Sequence, residues 1–341
     1  MTRKGRKGLN VAFIVDLYRR FRSHLWRHII GTGPRVRSFV VLSHLYYLFD
    51  VTRAYIVHGS SLNDYFEYEF YKKSHLERKK FVTNRRARWI FKRLLPPEYR
   101  KGIEDKFEIN TRYSKFLGRE WLYPREISYE EFEGFIRRHS QFLVKPRYGA
   151  LGRGVTIVDA TGADLRQLYL DLRKNDMIVE QLVIQHSKMS ALHPSSVNTV
   201  RITTVLCPSD DVKVVSAVLR IGSDGSVVDN HAAGGLIANI DIDSGVVYTT
   251  AINKFSERFV FHPVTGIQIV GFEIPYWEEV LQLCEEVTRI LPEVRYMGWD
   301  IAITQLGPIL IEGNRQGDMR LQQQPEQEGM FPVYRKIILS G

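Results

Sequence analysis

The stretch that most constrains this chain is FLVKPRYGALGRGVTIV, residues 142–158. Two β-rich runs flank a turn with glycines at 149, 152 and 154, and the first run carries a lysine, Lys145. The spacing G-x-x-G-x-G, followed by β-branched residues rather than a helix, differs from a dinucleotide fingerprint, and the G-K-[ST] of a Walker loop is missing. The pattern therefore predicts strand, glycine turn and antiparallel strand. Glycines let backbone N–H groups approach a ligand closely, and a lysine beside them supplies a compact charge for phosphates. A plain glycine-rich hairpin with a surface lysine fits the same residues.

A second hairpin is written at 298–314, GWDIAITQLGPILIEGN. A three-residue loop, Gln305–Leu306–Gly307, would place Thr304 opposite Pro308 and Asp300 opposite Glu312. Because side chains alternate, Glu312 shares a face with Asn314. Acids among so many isoleucines are costly unless paired or bound to metal. Oxygen ligands of this kind suit Mg²⁺ held together with substrate phosphates. Solvated acids at an exposed hairpin end are the alternative.

Texture along the chain changes near residue 140. Before it, residues from about 11 to 100 read as mainly helical, with Phe13, Ile14, Leu17, Phe21 and Leu25 at helical spacing. After it, FLVKPR, VTIVDA, MIVEQLVI, TVRITTVL, VKVVSAVLRI and VYTTAI read as strands, and ADLRQLYLDLRK and PYWEEVLQLCEEVTRILP as helices. Charge divides in the same way: residues 1–100 carry a net +15 and the remainder −5. A basic front on an acidic body suits an anionic partner or surface, and a solvated helical face equally. No nucleic-acid motif accompanies it, so no nucleic acid is expected. Cys207 and Cys284 form no CxxC and read as core residues of a reducing compartment. No apolar run is long enough to span a bilayer and no cleaved leader is evident, so the expected location is cytoplasmic.

Together, EDKF, FLVKPRYGALGRGV, IVEQLVIQH, HPSSVNTVRITTVL, NHAAGGLIANID and GWDIAIT…GPILIEGN resemble the ATP-grasp superfamily, in particular its sugar-transfer-associated branch, over about residues 103–325. The resemblance implies an α+β fold in which two subdomains, 103–190 and 191–341, clasp ATP behind a basic, mainly helical region, 1–102. It implies that Lys145, the turn Gly149–Gly152–Gly154 and Lys106 hold phosphates, and that Glu180, Gln181 and Val183 form the adenine-reading hinge. The usual downstream ribose carboxylate is missing, with Gln185 and His186 as substitutes. Asp300, Glu312 and Asn314 match ligands of Mg²⁺, expected as two ions with Mn²⁺ as a substitute. Arg201 matches a residue at the transferring phosphate, and His231 is a candidate base. Asn230, Lys254 and Arg315, with Gly234 and Gly235, are candidates on the acceptor side. The implied activity is an ADP-forming ligation of a carboxylate to an amine or another nucleophile through an acyl phosphate, in polysaccharide or natural-product biosynthesis. A phosphotransferase or a non-catalytic nucleotide-binding protein would use the same scaffold.

Overall fold

A computed structural model describes residues 37–149, 152–223, 234–315 and 317–339. The helix expected over residues 11–29 lies outside them. The chain separates into two compact units, residues 1–86 and 87–341. In the first, α1 (Arg37–His58), α2 (Leu62–Glu67) and α3 (His75–Arg78) enclose an aromatic core of Tyr65, Phe66, Tyr68, Phe70 and Phe81. Ser61 and Ser74 each open a helix with a reciprocal capping box. Inside, Arg78 pairs with Asp50 through two bonds of 2.7 Å, and Tyr65 donates to the same carboxylate at 2.7 Å. α4 (Asn84–Leu94) crosses the boundary between the units.

The second unit continues with α5 (Arg100–Glu104) and α6 (Lys106–Arg112), then builds two antiparallel sheets. β1 (Trp121–Leu122), α7 (Tyr129–Arg138), β2 (Gln141–Pro146), β3 (Thr156–Asp159), α8 (Leu165–Lys174) and β4 (Met177–Gln181) form the first, in strand order β1-β4-β2-β3. Phe132, Phe135 and Ile136 of α7 and Tyr169 and Leu172 of α8 pack on Phe142, Val144 and Val179 of its strands. The antiparallel pairing of β2 with β3 is the hairpin expected from the glycine turn.

After α9 (Ser187–Leu192) come β5 (Thr199–Leu206), β6 (Val212–Ile221), β7 (Leu236–Ile240), β8 (Ala251–Ile252), β9 (Arg258–Phe259), α10 (Trp277–Arg289), β10 (Tyr296–Thr304), β11 (Gly307–Asn314) and α11 (Phe331–Leu339). The second sheet runs β11-β10-β5-β6-β7-β8-β9. Trp277, Val280, Cys284 and Val287 of α10 are buried, and Thr288 of that helix accepts from Trp299 Nε1 at 3.1 Å. Trp299 therefore faces α10, and its strand neighbour Asp300 faces the other way. Both cysteines are buried and free.

Three expectations need correction. The strand read as MIVEQLVI ends at Gln181, and VYTTAI contributes only Ala251–Ile252. The loop of the second hairpin has two residues, since Thr304 pairs with Gly307 and Ile303 with Pro308. Asp300 nevertheless faces Glu312, because the register shifts between Asp300 and Ile301 and leaves Ile311 as the extra residue of a β-bulge. No described helix is long and apolar enough to cross a membrane.

Candidate active site

Three strands set the first half of the site. Asp300 on β10 stands directly opposite Arg201 on β5 and Glu312 on β11. Arg201 grips the Asp300 carboxylate with Nε and Nη2, the latter at 2.8 Å to Oδ2. Arg220, near the end of β6, adds a bond of 2.7 Å to Oδ2. Asn314 bridges the two acids, its amide lying 3.2 Å from Asp300 and 3.1 Å from Glu312. Burial pushes the Asp300 carboxyl up, but the two guanidiniums more than offset this and hold it well below the usual carboxylate range.

The other half lies on the four-stranded sheet. Glu180 on β4 pairs opposite Leu143, so it shares a face with Lys145 two residues further along β2. Lys145 Nζ lies 2.5 Å from Glu180 Oε1, and Asn110 Nδ2 donates to the same oxygen at 2.8 Å. Lys145, Asn110 and Glu180 are all buried. Burial opposes the Glu180 charge, yet Arg119 and Lys145 hold its pKa down to about 2.

Arg119 ties the halves together. Its Nε donates to Glu180 Oε2 at 3.0 Å, Nη1 to Leu310 O at 2.7 Å and Nη2 to Ile311 O at 3.1 Å. The last two carbonyls belong to the bulged strand, beside Glu312. Gly118 makes the approach feasible: a Cβ there would lie 2.4 Å from Ile309 Cγ2, and its φ is +54°.

Lys106 opens α6, which Asp105 caps by accepting from Phe107 N at 3.0 Å. Lys106 Nζ reaches Gly149 O at 2.9 Å, so this lysine is fastened to the glycine turn. Burial lowers its pKa; Glu312 opposes the shift and Lys145 adds to it, which places Lys106 within electrostatic reach of both halves. Arg147 reinforces the junction with bonds of 2.8 and 2.6 Å to Asp105, and Tyr148 donates to Asp105 at 2.8 Å. Gly152 and Gly154 have φ of +68° and +76°, a backbone that other residues rarely adopt. Arg315 joins Glu104 at 2.9 Å, and its Nε is buried without a hydrogen-bond partner.

Other expected residues take different places. Gln181 accepts from Glu120 N at 3.1 Å, and Val183 follows β4 half-buried. Gln185 is spent on structure: it donates to the carbonyls of His193 and Ser196 and accepts from Asn198, all buried. His186 caps α9 by accepting from Lys188 N at 3.1 Å. Gln185 thus has its amide taken up by the loop, while the His186 bond engages only Nδ1. Lys254 lies exposed between β8 and β9, over the Phe255 ring, and is not brought to the cluster. Asn230 and His231 lie outside the described residues; Ser223 Oγ donates to Gly234 O at 2.6 Å across the ends of that segment.

Sequence reading missed Arg119 and Arg220. A charge inside the apolar strand VKVVSAVLRI was a usable signal for Arg220, the same one that singled out Arg201. Nothing local marks Arg119, whose partners lie 61 and 191 positions away.

The donor set fits a hard divalent cation. Glu312 and the side-chain carbonyl of Asn314 are hard oxygen donors of the kind such an ion takes, although Asn314 here turns its amide nitrogen toward both acids and would have to rotate to offer that oxygen. Among the described residues no group of three or more His, Cys, Asp or Glu forms an alternative. Asp300 joins such a set only by giving up one of its donors.

A search of curated proteins finds no match. The family model described as sugar-transfer associated ATP-grasp matches residues 99–338. Among solved structures, the ATP-grasp ligase PsnB, complexed with a phosphomimetic variant of minimal precursor, Mg and ADP, is 14% identical, with 71% of this chain and 60% of that one covered at a TM-score of 0.44. N5-carboxyaminoimidazole ribonucleotide synthetase from Thermus thermophilus is 12% identical, with 76% and 60% covered at a TM-score of 0.44. The Staphylococcus aureus N5-carboxyaminoimidazole synthetase with ADP is 10% identical, with 70% and 52% covered at 0.43. The chain spans about three-fifths of the length of the first solved structures it matches.

Proposed function

The chain belongs to the sugar-transfer associated ATP-grasp family, and from that premise we propose that it joins a carboxylate to an amine or another nucleophile at the expense of ATP, forming ADP. The observation that carries this reading is Asp300 held between Arg201 and Arg220 beside Glu312 and Asn314. That row sets fixed cations and oxygen ligands at one spot, as phosphoryl transfer to a carboxylate requires.

Lys145 and Lys106 bind the ATP phosphates, and the backbone of the Gly149–Gly154 turn closes on them. Lys145 has three donors, so it holds Glu180 and a phosphate oxygen together. Glu180, Gln181 and Val183 line the adenine side. A substrate carboxylate oxygen forms a bond to the γ-phosphorus as the bond to the β-bridging oxygen breaks, releasing ADP. The nucleophile then attacks the acyl carbon, the bond from that carbon to the phosphate oxygen breaks with its electron pair passing to inorganic phosphate, and the proton lost by the nucleophile goes to the departing phosphate or to water. Arg201 and Arg220 balance charge at the reacting centre, a matter of positioning and electrostatics. Glu312, Asn314 and, after releasing one donor, Asp300 would hold Mg²⁺, which supplies further neutralisation of the phosphates. Closing the glycine turn excludes water that would hydrolyse an acyl phosphate.

The test is a mass-spectrometric screen of acids and amines with ATP and Mg²⁺, scored for ADP and a condensed product. A product whose formation needs both acid and amine supports the ligase. A phosphorylated product with no condensation selects the phosphotransferase instead.

A further inference from the structure

From residue 45 on, α1 is apolar on nearly every side, yet its described side chains are buried on only one. Asp50, Ala54 and His58 turn inward, and Tyr47 and Val51 pack partly against the same aromatic core. At 100° per residue the opposite arc covers roughly 200° of the helix. Its centre is Leu45, Phe49 and Ile56, and Leu48 and Tyr55 flank it. Phe49 and Ile56 are 68% and 65% exposed. Thr52 hides its hydroxyl on Leu48 O at 2.7 Å, so Arg53 is the one charged group on this arc among residues 45–58. A contiguous apolar face of this kind marks an interaction surface.

Charge identifies the partner. Among residues 45–86 the exposed cations are Arg53, Lys72, Lys79, Lys80 and Arg85, and the exposed acid is Glu77, which is spent on capping Ser74 N. Arg85 sits at the end of the apolar arc, its guanidinium on the carbonyls of Ile56 and Val57 at 3.2 and 2.6 Å. Residues 1–86 carry a net +12, so two copies meeting face to face would repel. No described helix is fit to cross a bilayer. We propose that this face of the N-terminal unit lies in the surface of a membrane rich in anionic phospholipid. The apolar arc of α1 enters the acyl boundary, and the surrounding cations meet headgroup phosphates.

The test is flotation of the full chain with vesicles of phosphatidylcholine alone or mixed equally with phosphatidylglycerol. Binding is expected to the mixed vesicles only and to weaken in high salt. The double variant Phe49→Glu/Ile56→Glu should lose about tenfold or more of it with an unchanged thermal transition. Should that variant fail to fold, Phe49→Trp replaces it: on mixed vesicles its added emission should shift to the blue and be quenched by brominated lipid. No flotation with mixed vesicles overturns the proposal. So does flotation that the double variant keeps, which is charge alone, or an emission from the introduced indole that lipid leaves unmoved. A dimer seen by light scattering, dissolved by the same substitutions and indifferent to vesicles, overturns it in favour of a second copy.

Discussion

Arg119 and Glu180 lie 3.0 Å apart, both buried side chains, and the same guanidinium reaches the carbonyls of the β11 bulge. One residue thus fixes the lysine-bearing sheet against the acid-bearing hairpin. Removing it leaves two carbonyls without these bonds and Glu180 with Lys145 and Asn110 alone. Arg119→Ala should cost about 3–5 kcal/mol of stability. Arg119→Lys should recover only part of that, because an ammonium lacks the planar fork. Denaturant unfolding of both variants measures this.

Glu180 also sets a response to acid. Its folded pKa of about 2 lies below the ordinary 4.5, so its contribution is complete above about 4.5 and is lost as pH falls through about 2. The linkage is worth roughly 3 kcal/mol. Glu180→Gln should flatten the stability curve between those limits. Acid unfolding of the variant beside the parent chain reads the difference.

The two acids of the hairpin should behave differently. Glu312 is half-buried and bonded to Asn314, so Glu312→Ala should abolish turnover with little change in unfolding temperature. Asp300 balances two buried guanidiniums, so Asp300→Ala should also destabilise the fold by about 3–5 kcal/mol. Sequence alone leads one to expect the fold to survive either change, since it does not show Arg220 at Asp300. Unfolding and ADP release, measured on both variants, separate the two effects.

Gly118→Ala should destabilise by about 1–3 kcal/mol, from the positive φ and the contact with Ile309. Ile309→Ala should relieve the steric share in the double variant. A double-mutant cycle checks the coupling.

How far the sequence reveals this arrangement depends on the range over which each signal acts. Strand alternation and turn glycines are local, so β2, β3, β5, β6 and α10 could be read directly. The facing of Asp300 and Glu312 was also legible, although through compensation: the loop is one residue shorter than expected, and the bulge at Ile311 restores the pairing. Lys145 in a strand was an oddity that its partner, Glu180, explains. Gln185 misled because its amide is satisfied by a buried loop, a context that periodicity does not carry. Arg119 was out of reach, since its role exists only once both sheets have formed.

In the proposed reaction a substrate carboxylate takes the γ-phosphoryl group before the nucleophile attacks. The direct measurement uses the acid identified by the screen, with its carboxylate oxygens isotopically labelled, and weighs the released phosphate after one turnover. One labelled oxygen is expected in that phosphate and one in the condensed product. Phosphate free of label, with both labelled oxygens retained on the acid and the phosphoryl group found on a hydroxyl, would contradict that reaction.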